Sequence, residues 1–186
     1  MTALTLFPIW WSATREIGFV AYSATGIGCV LFWLRSLRFP DRPHAGIRRL
    51  AATVAAIEFI LALDMVFEWR IALHDFFADT FVRHNLYGQR HTLQLELLIV
   101  LGCILAFTLG LAFQRLRTRR GSFLAIGALS LSITLWLMEI ISLHETDTGL
   151  YHLVNGIMVI AFLWVLACSL ILLGVGIEAR SAARKG

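Results

Sequence analysis

Residues 58–96 read EFILALDMVFEWRIALHDFFADTFVRHNLYGQRHTLQLE. The stretch opens as an apolar helix, crosses a polar turn at 78–91 and re-enters apolar sequence after His91. It carries Glu58, Asp64, Glu68, Asp75, Asp79 and Glu96, with His74, His84 and His91. Two apolar runs joined by a turn this rich in titratable groups are the unit of a multi-pass membrane protein. A spanning helix needs about 20 apolar residues.

The rest of the chain repeats that unit. Of 186 residues 59% are hydrophobic and only 15% charged, with mean hydropathy +0.77. Soluble domains carry about a quarter charged residues. Five apolar segments are expected at about 17–34, 47–77, 92–113, 122–143 and 153–177. No insert between them is long enough to fold alone, so residues 1–186 form one all-α integral membrane domain, a bundle of five transmembrane helices. No internal repeat appears, and an odd span count disfavours a duplicated transporter. The start, MTALTLFPIWWSATREIG, lacks the basic region of a secretory signal. Trp10 and Trp11 suit interfacial anchors. Small residues in SATGIGC (23–29), with Gly127, Gly174 and Gly176, mark places where helices can approach closely.

Arginine placement sets the orientation. Residues 35–49, 115–120 and the C-terminal tail hold twelve of the sixteen basic residues; Arg15, Arg70, Arg83 and Arg90 are the others. The positive-inside rule then puts the N-terminus outside and the C-terminus in the cytoplasm. The setting expected is a bacterial inner membrane, with lipid as the immediate partner. The net charge of +4 falls at helix ends and does not indicate nucleic acid. Cys29, Cys103 and Cys168 lie in three different apolar segments with no CxxC, which excludes a disulfide framework.

The second segment is too long. About 30 residues make a helix of roughly 45 Å, against a hydrocarbon core of about 30 Å. It must tilt, break or project to the outer interface, with WRIALHDFF (69–77) as the part that projects or bends. At 100° per residue Asp64, Glu68 and Asp75 share one face of a continuous helix, while Glu58 lies deeper and elsewhere. Intramembrane acids are costly and are usually paired or functional. The structural reading of the stripe is pairing with Arg15, Arg70, Arg83 or Arg90.

His91 and Gln94 begin the third segment, and Glu139, His144, Asp147 and Tyr151 end the fourth. If the second, third and fourth segments pack together, these groups converge at the outer edge. Glu68, His74, His91, Glu139 and His144 are then candidate metal ligands, and imidazole suits Zn, Fe and Cu alike. Asp64, Asp75, Arg70, Arg90, Gln94, Asp147 and Tyr151 are candidate ligand-binding or supporting groups. Haem held by His91 with His144 or His152 ranks below a metal ion, because no deep histidine pair exists. Ser142, His144 and Asp147 have the identities of a hydrolase site, yet Ser142 and His144 point to different faces of a helix. HExxH, GxSxG, P-loop and GxGxxG patterns are absent. A polar path across the whole bilayer is incomplete. Two functions follow from different classes: a metal- or ligand-binding site at the outer edge, or a non-catalytic subunit of a larger complex or homo-oligomer in which the same groups form a salt-bridge network. Whether the protein is an enzyme stays open at this level. Trp33, Trp69, Trp136 and Trp164 are candidate contact residues for the second reading.

Overall fold

A computed structural model describes residues 7–37, 42–84, 89–141 and 148–183. Its helices are α1 (Phe7–Ser36), α2 (Arg42–Phe67), α3 (Trp69–Arg83), α4 (Arg90–Leu116), α5 (Arg120–Ile141) and α6 (Val159–Ala183). Five helical stretches are long and apolar enough to cross a membrane: Ala13–Ser36, Ala45–Phe67, His91–Leu116, Arg120–Ile141 and Val159–Ser181. This is the pattern of a multi-pass membrane protein.

Two local features depart from a bundle of five unbroken helices. Of the alternatives tilt, break or project, the second segment takes the break and is two helices rather than one long one. Glu68 takes a left-handed conformation, φ 55° and ψ 35°, between α2 and α3. The α2 ladder ends with Glu68 N–H donating to Asp64 O at 2.8 Å, and Glu68 O then accepts from Ile71 and Ala72 at 3.0 and 3.1 Å to start α3. A left-handed non-glycine residue costs about 1–2 kcal/mol, so the surroundings must impose it. The second departure is strand. The fifth apolar run does not begin as helix at 153. Leu153–Val154 (β1) pairs antiparallel with Ile157–Met158 (β2), Leu153 opposite Met158 and Val154 opposite Ile157. Asn155 and Gly156 turn the hairpin with φ 51° and 83°, the left-handed pair a two-residue hairpin needs. The Asn-Gly signal was present in the sequence; the apolar run around it hid the hairpin. Met158 N–H reaches back to Thr14 Oγ1 at 3.4 Å and ties the hairpin to α1.

The buried interior belongs to α1, α2, α5 and α6. One cluster contains Tyr22, Leu61, Met65, Leu135, Trp164 and Cys168; a second contains Cys29, Val54, Ala125, Leu129, Ile171 and Val175. On α6 the buried positions Trp164, Cys168, Ile171 and Val175 follow the 3.6-residue period. Where α6 meets α5 the backbones nearly touch. A Cβ built on Gly174 would lie 2.6 Å from Ala125 N and 2.7 Å from Gly121 O. Gly127 and Gly176 are not such contacts, since their nearest neighbours sit at 3.4 and 4.0 Å. Along α1, Gly18 packs against the Trp164 ring, Gly26 against Phe59 and Gly28 against Leu172, which is the close approach its small residues foretold. α4 stands apart: 11% of its apolar window is buried, against 44% for those of α2 and α6.

The arginine-rich end of α5 is also fixed from α6. Ser122 N–H donates to Glu178 Oε2 at 3.1 Å, placing a carboxylate at the positive end of the α5 dipole and capping a first-turn donor. Glu178→Ala is expected to cost about 1 kcal/mol, the usual value of a lost N-terminal cap. Thermal unfolding in detergent measures it, and an unchanged midpoint refutes the capping role.

Candidate functional site

The site is organised by one guanidinium. Arg70, the second residue of α3, is 3% exposed. Its backbone N–H donates to Asp64 Oδ1 at 2.9 Å, so an α2 side chain caps the first turn of α3. Arg70 Nη1 forms a salt bridge with Asp64 Oδ2, and Nε sits 2.6 Å from Glu139 Oε2 on α5. The guanidinium carbon lies 5.7 Å from the centre of the Trp164 ring on α6, within cation–π range. Nη1 also approaches Met65 Sδ at 3.6 Å. One cation therefore joins α2, α3, α5 and α6. Burial works against its charge, but the Glu139 and Asp64 carboxylates outweigh that and hold Arg70 above its ordinary pKa. Tyr151, Thr14, Arg15, Met158 and Ile160 complete the wall of a small cavity, about 10 Å³, beside Arg70 and Glu139.

The helix break makes this geometry. On an unbroken helix residues 64 and 70 point to different faces, because six residues advance the azimuth by 600°. The left-handed Glu68 redirects the chain so that Arg70 turns back over the end of α2. A second arginine holds the break. Arg15 on α1 donates to Met65 O at 3.1 Å from Nε and 2.9 Å from Nη2, and to Val66 O at 3.4 Å. These are orphan carbonyls at a helix C-terminus. Arg15 Nη1 also pairs with the Glu68 carboxylate, which is about one-third exposed. Such exposed pairs contribute little; the capped carbonyls carry more of the effect.

The other sequence candidates scatter. The stripe of Asp64, Glu68 and Asp75 does not form, because the break at Glu68 separates its members. Asp64 is buried on Arg70, Glu68 is half-buried on Arg15, and Asp75 is exposed. His74 Nδ1 lies 3.0 Å from Ile140 O, and Gln94 Nε2 donates to Ile141 O at 2.7 Å. Both satisfy the last carbonyls of α5, one from α3 and one from α4. Here side chains of the second and third apolar segments reach the end of the fourth. His91 and His152 are exposed, and Tyr151 is half-buried in the wall beside Arg70. His144 and Asp147, with Ser142, lie outside the described residues, as does the Arg90 side chain. Among the described residues no three His, Cys, Asp or Glu side chains come together as metal donors.

Sequence reading missed three participants: Trp164 as the aromatic floor under Arg70, Met65, and Thr14. No local signal marks Trp164 as special among six tryptophans; only the α6 packing does. Glu58, set apart as deep and off the stripe, is fully buried and is partnered not by an arginine but by Cys168 Sγ–H on Oε2 at 3.4 Å. Comparison with protein-family models, curated proteins and solved structures finds no match to this chain.

Proposed function

We propose that this protein is a non-catalytic subunit or assembly partner of a larger complex in the bacterial inner membrane. It is a five-helix bundle oriented N-out and C-in, and its outer-edge polar layer is a structural ion-pair network. The observation that carries this reading is Arg70. A buried guanidinium shared by Asp64 and Glu139 is already neutralised and offers no open position for chemistry. Glu68 is likewise engaged by Arg15, and His74 and Gln94 by the end of α5. Such a layer fixes how helices pack without reacting, in keeping with the role of buried polar networks in specifying one arrangement. The orientation rests on the arginine distribution.

α4 is the contact element. It is the least buried of the spans and presents Leu97, Ile99, Val100, Ile104, Phe107 and Phe113 away from the interior. Lipid or a neighbouring helix must cover that face. Cys103 is exposed on it, while Cys29 and Cys168 are buried, so the native chain carries its own reporter. Mild oxidation of native membranes followed by gel analysis and mass spectrometry tests the proposal. A Cys103-linked product, or a partner chain that copurifies in stoichiometric amount, is expected. A lone monomer with neither sinks it.

One observation favours a second reading, a metal or small ligand at the outer edge. A neutral His74 that donates from Nδ1 to Ile140 O carries its lone pair on Nε2, the second-shell pattern that orients metal-ligating histidines. With His91 and His144 it would make an imidazole set for Zn, Fe or Cu. Elemental analysis and an optical spectrum of the purified protein decide it. Stoichiometric metal, lost in His74→Ala, would replace the structural reading.

A further inference from the structure

Glu58 lies on α2 with no exposed surface, in a stretch long and apolar enough to cross the membrane. An ionised carboxylate there needs a cation, and among the described residues none pairs with it. Arg70, the buried cation of this core, is shared by Asp64 and Glu139. The groups that do face Glu58 are neutral hydrogen-bonding ones. Cys168 on α6 donates its thiol to Oε2, and Cys29 and Tyr22 on α1 lie within electrostatic reach. Thr25, beside them, is 1% exposed and donates to Ala21 O at 2.9 Å. Glu58 Oε1 has no hydrogen-bond partner among the described residues. An unpaired buried oxygen costs about 1–3 kcal/mol, so something that is not a protein group should occupy it.

Buried polar groups on α1 and α5 share the core with Glu58 and Arg70. The Tyr22 ring packs 6.1 Å from Trp164, and Trp164 lies under Arg70. Tyr22 is within electrostatic reach of Cys168, Glu139, Glu58 and Arg70 together. On α5, Ser132, Trp136 and Glu139 fall at i, i+4 and i+7, one face of the helix. Ser132 Oγ and Trp136 Nε1 are buried without partners among the described residues. The small cavity beside Arg70 and Glu139 adjoins the Glu139 end of that face. Polar atoms that lack protein partners and lie along one helix face are suited to hold water between them.

We propose that Glu58 is a proton-binding site, kept as the neutral acid and loaded from the Arg70 end of the molecule through Tyr22 and water held along the Ser132–Trp136 face of α5, while Glu139 stays ion-paired to Arg70. The exchange breaks the Glu58 O–H bond, passes the proton to water on that path, and forms a new O–H bond with a proton from the same path. The carboxylate left between these steps is brief, because no guanidinium stabilises it. An intramembrane acid that binds and releases a proton from one side is a half-path, which agrees with the incomplete route across the bilayer. The proposal does not depend on whether α4 meets a partner chain.

Two measurements on the full-length protein in phosphatidylcholine vesicles test it. Dicyclohexylcarbodiimide reacts with protonated carboxyls in apolar surroundings. It can enter from the membrane through the α1–α6 groove of about 520 Å³, whose wall includes Thr25 and Cys168. Peptide mapping at neutral pH is expected to find the adduct on Glu58, and Glu58→Gln to lose it. Infrared spectra are expected to show a protonated-carboxyl band that shifts in D2O and vanishes in Glu58→Gln. Tyr22→Phe should slow that shift about a hundredfold, the lower end of what a positioned proton-transfer group contributes. An unlabelled Glu58 with a carboxylate band at neutral pH overturns the proposal. So does protection of Glu58 by sodium ions, which would make the site one for a metal cation. An unchanged exchange rate in Tyr22→Phe removes the assigned path. If Glu58→Gln fails to fold, the adduct map and D2O shift of the wild-type protein still decide between neutral acid and carboxylate.

Discussion

Arg70→Leu is expected to destabilise the protein by about 3–5 kcal/mol, the cost of removing one partner from a buried ion pair. Most of that cost is not the lost attraction. It is what remains: Asp64 and Glu139, whose side chains are 1% and 3% exposed, would face each other with no cation between them. The N-terminal cap that Asp64 gives α3 would suffer too, because its carboxylate would no longer be held in place. Neutralising the carboxylates should recover much of the loss. Arg70→Leu combined with Glu139→Met and Asp64→Asn, which keeps the Oδ1 acceptor for the residue 70 N–H, replaces an ionic triad chiefly by apolar groups of similar volume, a change that is often close to neutral. Thermal unfolding in detergent, followed by tryptophan fluorescence, checks both. If the single variant melts within a degree of the wild type, or if the triple variant is worse than the single, Arg70 does not hold the four helices. Arg15→Ala is the control on the exposed side. It loses the Glu68 pair, worth at most about 1 kcal/mol, and the hydrogen bonds to Met65 O and Val66 O, but it leaves no buried charge unpaired, so its effect should stay below that of Arg70.

Gly174→Ala is the second large effect, and here two terms of opposite sign compete. Alanine is the better helix former by about 1 kcal/mol. Against this, its Cβ would meet Ala125 N and Gly121 O, backbone atoms of α5 that cannot rotate away. Relieving the clash means moving α5 and α6 apart along the contact that buries Ile171 and Val175. Overpacking of this kind costs about 1–3 kcal/mol, and with two backbone atoms of α5 in the way the steric term wins, so a net loss of up to about 2 kcal/mol is expected. Gly110→Ala on α4 isolates the other term. Nothing lies within 4 Å of its built Cβ, so alanine there should be neutral or stabilising. Equal effects at the two positions would show that α5 and α6 do not approach closely enough to exclude a methyl group at Gly174.

The candidate site was legible in part. The density of acids in 58–96, and Arg15 and Arg70 among the four arginines able to pair them, follow from residue types and spacing; the meeting of His74 and Gln94 with the end of α5 depended on three segments packing together, which spacing alone does not dictate. The grouping of Asp64 with Glu68 and Asp75 did not survive. It assumed a continuous helix, and a single left-handed residue changes every azimuth after it. Nothing in the sequence marks Glu68 for that conformation, which glycine or asparagine would have advertised. The conformation is imposed from outside by Arg15 on one side and by the burial of Arg70 on the other.

By itself the sequence determined the class of this protein. Apolar runs of spanning length are a local property, fixed by the thickness of hydrocarbon they must cross, so five membrane-length helices could be counted with no knowledge of their packing. It also determined that the polar groups among them had to find partners, because water is not there to serve them. Which partners they found was decided only in three dimensions. Asp64 reaches Arg70 through a backbone turn at Glu68. Glu139 reaches it from a helix some seventy residues away in sequence. Gly174 meets Gly121 because two helices cross there. Each of these depends on distances between segments, and chain order leaves such distances free until the segments pack.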